Sequence, residues 1–426
     1  MNVGTRRNSV GGTMVSERAS TVRGRRWVHV VGWLTILTAV TAAVEFAGYR
    51  FLLHQQQRYR HFFAFDIDRY VDGLNPAHLR MHRDRLASKY IWPPHPTLGW
   101  RRSPLSSHFF EESGTTITTD ANGARSIPGA AGPVSIVTYG DSFTEGLEVD
   151  DPDTWQAQMA YATGTRVLNY GVSAWGPDQA LLALEEDLAG GLRSPYVILA
   201  MINENLNRMM NTFRSFYTHP TEDVFLGFKP IFAPTDSGFT VRHFAPTDLA
   251  DTAALRRAIR AASAYDWFYQ QRTFRIRFPL ILSAARFVRR YGASPVAVWP
   301  DYSTGMPRKR IDYLLRRFHD DARTYGFTPV FVLLPESRND LRTRRGRDHP
   351  LFSGVADSNR LPRLIYIDVV KELTGDHAET YVAGMTPDSF FTVTHPSAYG
   401  NRAIATVILA RLRDQLAALG HPPVTP

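Results

Sequence analysis

The chain contains no cysteine among its 426 residues. That absence removes disulfides, thiolate zinc sites, iron–sulfur clusters and cysteine nucleophiles together, so catalysis must run on hydroxyl, imidazole or carboxylate groups. There is no GxxxxGK[ST] loop, no GxGxxG turn and no HExxH helix, so nucleotide binding and zinc proteolysis have no motif to rest on. The 14 histidines fall without metal-ligand spacing, and neither a metal nor any other cofactor is expected. Internal repeats and low-complexity tracts are also missing. What is present is a chain 44% hydrophobic, too apolar to be disordered and long enough for one large domain with additions or for two domains.

A formal charge of +9 invites a nucleic-acid reading, but its distribution argues against one. Before Trp27 stand Arg6, Arg7, Arg18, Arg23, Arg25 and Arg26 against the single acid Glu17, and the remainder is only mildly basic. The run WVHVVGWLTILTAVTAAV, from Trp27 to Val44, carries no formal charge, and Phe46 to Leu53 prolongs it with Arg50 alone charged. About twenty apolar residues cross a hydrocarbon core, so this run predicts a membrane anchor over 27–48, with the basic tail 1–26 left in the cytoplasm. A cleaved signal peptide is the rival reading, but its apolar region would be unusually long. Either reading exports the rest of the chain to the periplasm or the cell exterior; on the anchor reading it is a single-pass protein whose partner is the bilayer.

Beyond the anchor, 49–90 reads as a polar stalk and 91–426 as the folded part. From Pro133 onward, short β-branched runs (VSIVTY, RVLNY, YVILAM, PVFVLLP, LIYIDV) alternate with amphipathic helices. Nearly all-apolar strands belong to a parallel sheet buried on both faces. Pro177 suits a first helical position, and Gly326 a C-terminal cap after the stripe Ile311, Leu314, Leu315, Phe318 and Ala322. The expected fold is a doubly wound α/β sheet whose ligands bind at the carboxyl ends of its strands. About 206–300 fits no βα unit and reads as an insertion after the third strand, a lid or wall of the site. Its apolar stretch Phe278 to Val288 is expected to pack onto the domain, with contact to a membrane surface as the other option.

Four chemistry-bearing residues follow one another at strand ends. The first strand runs into Gly140-Asp141-Ser142, where a sharp turn would present a hydroxyl and aim a backbone N–H at the same point, as an acyl-transfer nucleophile requires. The bland reading of such a serine is an N-cap. Gly171 ends the second strand, Asn203 follows the third, and His395 precedes the last apolar-striped helix. In this order and context the chain resembles the SGNH, or GDSL, hydrolase superfamily of membrane-anchored bacterial type, from about residue 95 to the C-terminus. The blocks GDSFTEG, NYGVSAWGPDQ, AMINEN and HPSAYGNRAIA carry the resemblance, with HPTLGW and TTDANGAR upstream.

The resemblance implies a flavodoxin-like sheet and carbon–oxygen ester chemistry. It makes Ser142 the nucleophile, His395 its base, and the Ser142 N–H, the Gly171 N–H and the Asn203 amide the oxyanion hole, with Asp141 shaping the turn. The chain departs from the pattern where the acid two or three residues before the histidine is replaced by Thr392 and Val393. Asp388 is the nearest carboxylate and the expected partner of His395; otherwise the site is a Ser-His dyad held by a backbone carbonyl. The Arg342, Arg344, Arg345 and Arg347 cluster reads as a solvated loop, with an anionic ligand as the alternative. The functional expectation is an extracytoplasmic serine esterase or O-acyltransferase acting on acyl esters of a cell-envelope glycan. Its alternative is a catalytically degenerate carbohydrate-binding or scaffolding module of an envelope polysaccharide assembly.

Overall fold

The computed structural model describes Met1 and residues 14–74, 92–217, 227–244, 251–296, 298–376 and 384–418. Arg6 and Arg7 of the basic tail and the helical stretch expected within 76–90 lie outside the described residues. The chain forms two compact units, Met1–Ala64 with Arg272–Ala297, and Phe65–Gln271 with Val298–Pro426.

In chain order, the principal elements begin with the long helix α1 (Met14–Arg58), then β1 (Val134–Gly140), α2 (Ser142–Glu145), α3 (Trp155–Thr163) and β2 (Arg166–Gly171). There follow α4 (Pro177–Ala189), β3 (Tyr196–Met201), α5 (Leu280–Tyr291), α6 (Gly305–Tyr325) and β4 (Thr328–Leu333). The last are α7 (Arg338–Thr343), β5 (Ile365–Asp368) and α8 (Ala398–Ala418). The strands lie in the order β5-β4-β3-β1-β2, and every pairing is parallel. This is the 2-1-3-4-5 order of a doubly wound sheet, and the apolar runs anticipate its five strands.

Period-two alternation assigns each strand residue to a face. Ile136, Ile198, Ala200, Val330, Val332 and Ile367 pack with α3 and α8, while Val137, Tyr139, Leu199, Phe331 and Leu333 pack with α4 and α6. Each fully buried aliphatic side chain contributes about 1.5–3 kcal/mol, so the strand ends rest on a rigid base. Local signals agree: Gly176 caps α4 just before Pro177, and Gly326 closes α6 in the left-handed region with its N–H on Ala322 O. The connection after β1 runs to β2 on one side of it, whereas the connection after β3 runs to β4 on the other side. The residue after β1 and Asp141 is therefore at the switch point where doubly wound sheets bind ligands.

The expected insertion divides between the two units. Its first part stays with the sheet unit, where the hairpin Ile231–Thr235/Gly238–Arg242 and the helix Thr252–Ser263 lie. There Phe213, Phe216, Phe228, Leu255 and Ile259 form a cluster with Ile67 and Val71 of the polar segment after the anchor. Its second part joins α1. Leu280, Ala284, Phe287 and Tyr291 of α5 recur at helical spacing and pack with Leu52, Phe62, Phe63 and Phe274. The stretch Phe278 to Val288 thus packs through one stripe, but its counterpart is the stem of α1. The segment Arg26–Arg58 of α1 is long and apolar enough to cross a membrane.

Candidate active site

β1 delivers the chain to Asp141, whose carboxylate caps α2 by accepting the Phe143 N–H (2.9 Å). The same carboxylate accepts Asn205 Nδ2 (2.8 Å) and Arg208 Nη1 (3.3 Å). Asp141 is buried, and burial pushes its pKa up despite Arg208. With every oxygen bonded, Asp141 builds the turn. Ser142 is the first residue of α2, so its N–H has no intrahelical acceptor.

His395 sits on a tight turn closed by Thr392 N–H to His395 O (2.9 Å) and Ser397 N–H to Phe390 O (2.8 Å). Its ring lies 4.8 Å from that of Phe143. Ser142 Oγ lies 2.9 Å from His395 Nε2, so the hydroxyl can donate to the imidazole. On the far side, His395 Nδ1–H donates to Glu148 Oε1 at 2.8 Å. Ser142, His395 and Glu148 form one continuous chain of hydrogen bonds.

Asp388 does not reach the imidazole. Its carboxylate takes Arg342 Nη2 (3.0 and 3.2 Å) and Arg338 Nε (3.3 Å) on the surface, with its side chain 72% exposed. The residues between it and His395 turn toward Glu148 instead: Thr394 Oγ1 donates at 2.7 Å, the Val393 N–H at 3.2 Å, and Thr392 Oγ1 also donates. Burial alone would raise the pKa of Glu148, but the Thr392, His395 and Thr394 bonds prevail and hold it at about 2. Glu148 takes a left-handed backbone conformation (φ 73°), so the chain accepts strain to bring this carboxylate in.

The loop carrying Glu148 is stapled from outside the sheet. Arg125, fully buried, donates Nη1 to Glu145 O and Gly146 O (both 2.7 Å), Nη2 to Val149 O (2.6 Å) and Nε to Asp151 (2.7 Å). Arg102 and Glu145 form a second buried pair at 3.2 Å, and Glu145 also accepts Trp92 Nε1 (3.0 Å). Arg125 of the upstream block TTDANGAR, with Trp92 and Arg102 on either side of HPTLGW, therefore braces the Ser142 segment. The histidine turn has its own brace in Arg338, whose guanidinium donates to the carbonyls of Phe391 (3.2 Å), Thr392 (2.6 Å) and Val393 (3.2 Å).

The residues expected to supply an oxyanion hole lie at or after the ends of β2 and β3. Asn203 follows β3, and its Oδ1 is buried with no partner among the described residues. Gly171, at the end of β2, donates its N–H to Asn169 Oδ1 (2.9 Å), and a Cβ there would meet Glu145 N at 2.2 Å. Its evident work is close packing against α2. Three residues on, Ala174 holds a left-handed φ of 66°, and its N–H has no acceptor among the described residues. Glu204, the acid beside Asn203, is engaged by Arg208 Nη2 and the Tyr217 hydroxyl, both at 2.5 Å. Its backbone N–H donates to Glu336 (3.0 Å), whose pKa burial and the nearby Asp340 and Glu204 push up to about 7. In the arginine cluster, Arg342 binds Asp388 and Arg344 binds Asp368, as a self-satisfied surface loop would.

Of the residues named from the sequence, the structure brings Ser142 and His395 within hydrogen-bond distance; Glu148, Arg125 and Arg338 were not named. The available signal for Glu148 was an acid six residues after the serine, indistinguishable in sequence from Glu145.

No family model matches the chain, and no curated protein matches it. Among solved structures, it is similar to a protein described as a G-D-S-L family lipolytic protein from Desulfitobacterium hafniense DCB-2. That pair shares 12% identity over 66% of this chain and 99% of the other, with a TM-score of 0.33. A second, a member of the lipolytic protein G-D-S-L family from Veillonella parvula DSM 2008, shares 12% identity over 65% and 97% of the two chains, with a TM-score of 0.28.

Proposed function

We propose that the chain is a serine esterase or O-acyltransferase of SGNH type, working through Ser142, His395 and Glu148. The observation that carries this reading is the unbroken series Ser142 Oγ to His395 Nε2 (2.9 Å) and His395 Nδ1 to Glu148 (2.8 Å). Ser142 Oγ attacks the acyl carbonyl while its proton passes to His395 Nε2. Glu148 holds the Nδ1 proton and stabilises the imidazolium that forms. The tetrahedral intermediate places negative charge on the former carbonyl oxygen, facing the Ser142 N–H and the Asn203 amide. The third donor we assign to the Ala174 N–H, because that of Gly171 is already spent. Each such donor lowers the barrier by about 3 kcal/mol. Collapse expels the alkoxide, which takes the proton from His395, and leaves Ser142 acylated. Water or a sugar hydroxyl, deprotonated by His395, then accepts the acyl group and frees the serine.

The membrane-length α1, with Arg18, Arg23, Arg25 and Arg26 at its start, supports a single-pass anchor with a cytoplasmic N-terminus and an extracytoplasmic site. Acyl esters of an envelope glycan are the substrate class that fits that location. The test is fluorophosphonate labelling of the full chain in detergent, followed by hydrolysis of a small aryl acetate with and without a sugar acceptor. Labelling lost in Ser142→Ala and His395→Ala supports the enzyme, and acetyl-sugar formation supports transfer. Labelling that persists in Ser142→Ala, or is absent from the native chain, returns the reading to a binding module.

A further inference from the structure

One segment of the membrane-linked unit has a composition that neither catalysis nor packing uses. α5 runs alongside α1 in the same direction. Glu45 Oε2 accepts the Leu280 N–H at 2.5 Å, Phe51 meets Phe287 with ring centroids 6.3 Å apart, and Gln55 Nε2 donates to Ala293 O at 3.0 Å. The approach is close enough that a Cβ at Gly48 would meet Ile281 N at 2.6 Å. Leu280, Ser283, Ala284 and Phe287 face α1, yet the tip of α5 and its approach leave large apolar groups in the open. Phe278 is 78% exposed, Leu282 56% and Ile276 40%. Exposed arginines, Arg275, Arg277 and Arg286, surround them without an ion-pair partner among the described residues.

The height of this tip follows from helix geometry. Twenty residues of α1 at about 1.5 Å each span the ~30 Å hydrocarbon core, so a span entered at Trp27 ends near Phe46. Glu45 is the first acid after the uncharged run, and it is the residue that clasps the start of α5. The Ile276–Leu282 tip therefore stands where α1 leaves the bilayer, while Arg289 and Arg290 lie further along, away from it. Apolar side chains at that level with arginines beside them match the acyl–headgroup boundary of an anionic leaflet.

Resting on the anchor reading above, we infer that the Ile276–Leu282 tip is a second membrane contact: Phe278 and Leu282 enter the outer leaflet beside α1, and Arg275, Arg277 and Arg286 engage anionic lipid headgroups. The chain would then be held by a helix and a wedge, which fixes the rotation of its stem about the membrane normal.

The absence of cysteine makes the test direct. Single substitutions Phe278→Cys, Leu282→Cys, Leu37→Cys within the span and Phe109→Cys, an exposed residue of the hairpin Ser107–Phe110/Thr115–Thr118 in the other unit, are made in the full chain. Each is labelled with an environment-sensitive fluorophore and placed one copy per nanodisc of phosphatidylethanolamine and phosphatidylglycerol. The expected result is iodide quenching at 278 and 282 at least about three-fold weaker than at 109 and close to that at 37. The Arg275→Gln/Arg277→Gln/Arg286→Gln triple variant should lose part of that protection with phosphatidylglycerol present and none in pure phosphatidylcholine. Quenching at 278 and 282 equal to that at 109, with 37 protected, overturns the inference and leaves the anchor intact. An unprotected label at 37 removes the anchor reading and this one with it. Protection at 278 that appears only when two copies share a disc points to a second copy of the chain and also overturns it. Leu282, inside α5, carries the test if the variant at 278 does not fold.

Discussion

Replacing Glu148 with Gln keeps the shape of the side chain and removes its charge, and the structure sets the size of the effect. The carboxylate contacts His395 Nδ1 at 2.8 Å, so its centre lies about 4 Å from that of the imidazolium formed during attack. Unit charges at that distance attract by about 4 kcal/mol at an effective dielectric of 20. At about 1.36 kcal/mol per decade, this is close to a thousand-fold in rate. The two side chains are 12% and 15% exposed, so screening lowers the figure, and a loss of about 10²–10³ in kcat is expected. KM should change little, because the charge acts on the transition state. Since Glu148 is held at about 2, it stays ionised throughout any workable assay range and contributes no acid limb of its own. The assay is steady-state hydrolysis of an aryl acetate, with the second-order rate of fluorophosphonate labelling as an independent readout. Asp388→Asn, which breaks only surface contacts with Arg338 and Arg342, should stay within about two-fold of the native rate. A Glu148→Gln enzyme within ten-fold of native, or an Asp388→Asn enzyme that fails, would refute this assignment.

Asn203→Ala should lower kcat by about 10²–10³ with little change in KM or melting temperature, as expected of an oxyanion donor; a change confined to KM would contradict that role. Arg125→Met strips three loop carbonyls and Asp151 of a buried partner. It should cost about 3–5 kcal/mol in chemical denaturation, with activity falling before global unfolding as the Glu148 loop loosens. Glu336 has a folded pKa raised from 4.5 to about 7, so its contribution to stability is full below pH 4.5 and is lost as pH rises through 7. Glu336→Gln should therefore stabilise the protein at pH 8, by about 1–2 kcal/mol after allowance for partial screening, and be neutral at pH 4. Thermal melts at the two pH values decide this, and a gain at the lower pH would contradict it.

The five strands, α4, α6 and the order of the serine, asparagine and histidine blocks were legible in the amino-acid sequence. They depend on local periodicity and on residues that sit where a strand stops, and both are properties of short windows. The membrane-length run of α1 is equally a matter of composition. What tertiary structure decided is who meets whom across long separations. The partner of His395 lies 247 residues away in sequence. Glu148 took that place because Thr392 and Thr394 converge on it while two arginines claim Asp388. The Gly171 N–H is taken up by Asn169 Oδ1, a pairing that composition does not record. Arg125 looks like a surface residue in a polar stretch and is a buried staple, since only the folded chain brings three loop carbonyls around one guanidinium. The helix over 280–291 showed its apolar stripe plainly, but helical periodicity names a buried face without naming what covers it. That α1 covers it follows from the fit at Gly48 and Glu45.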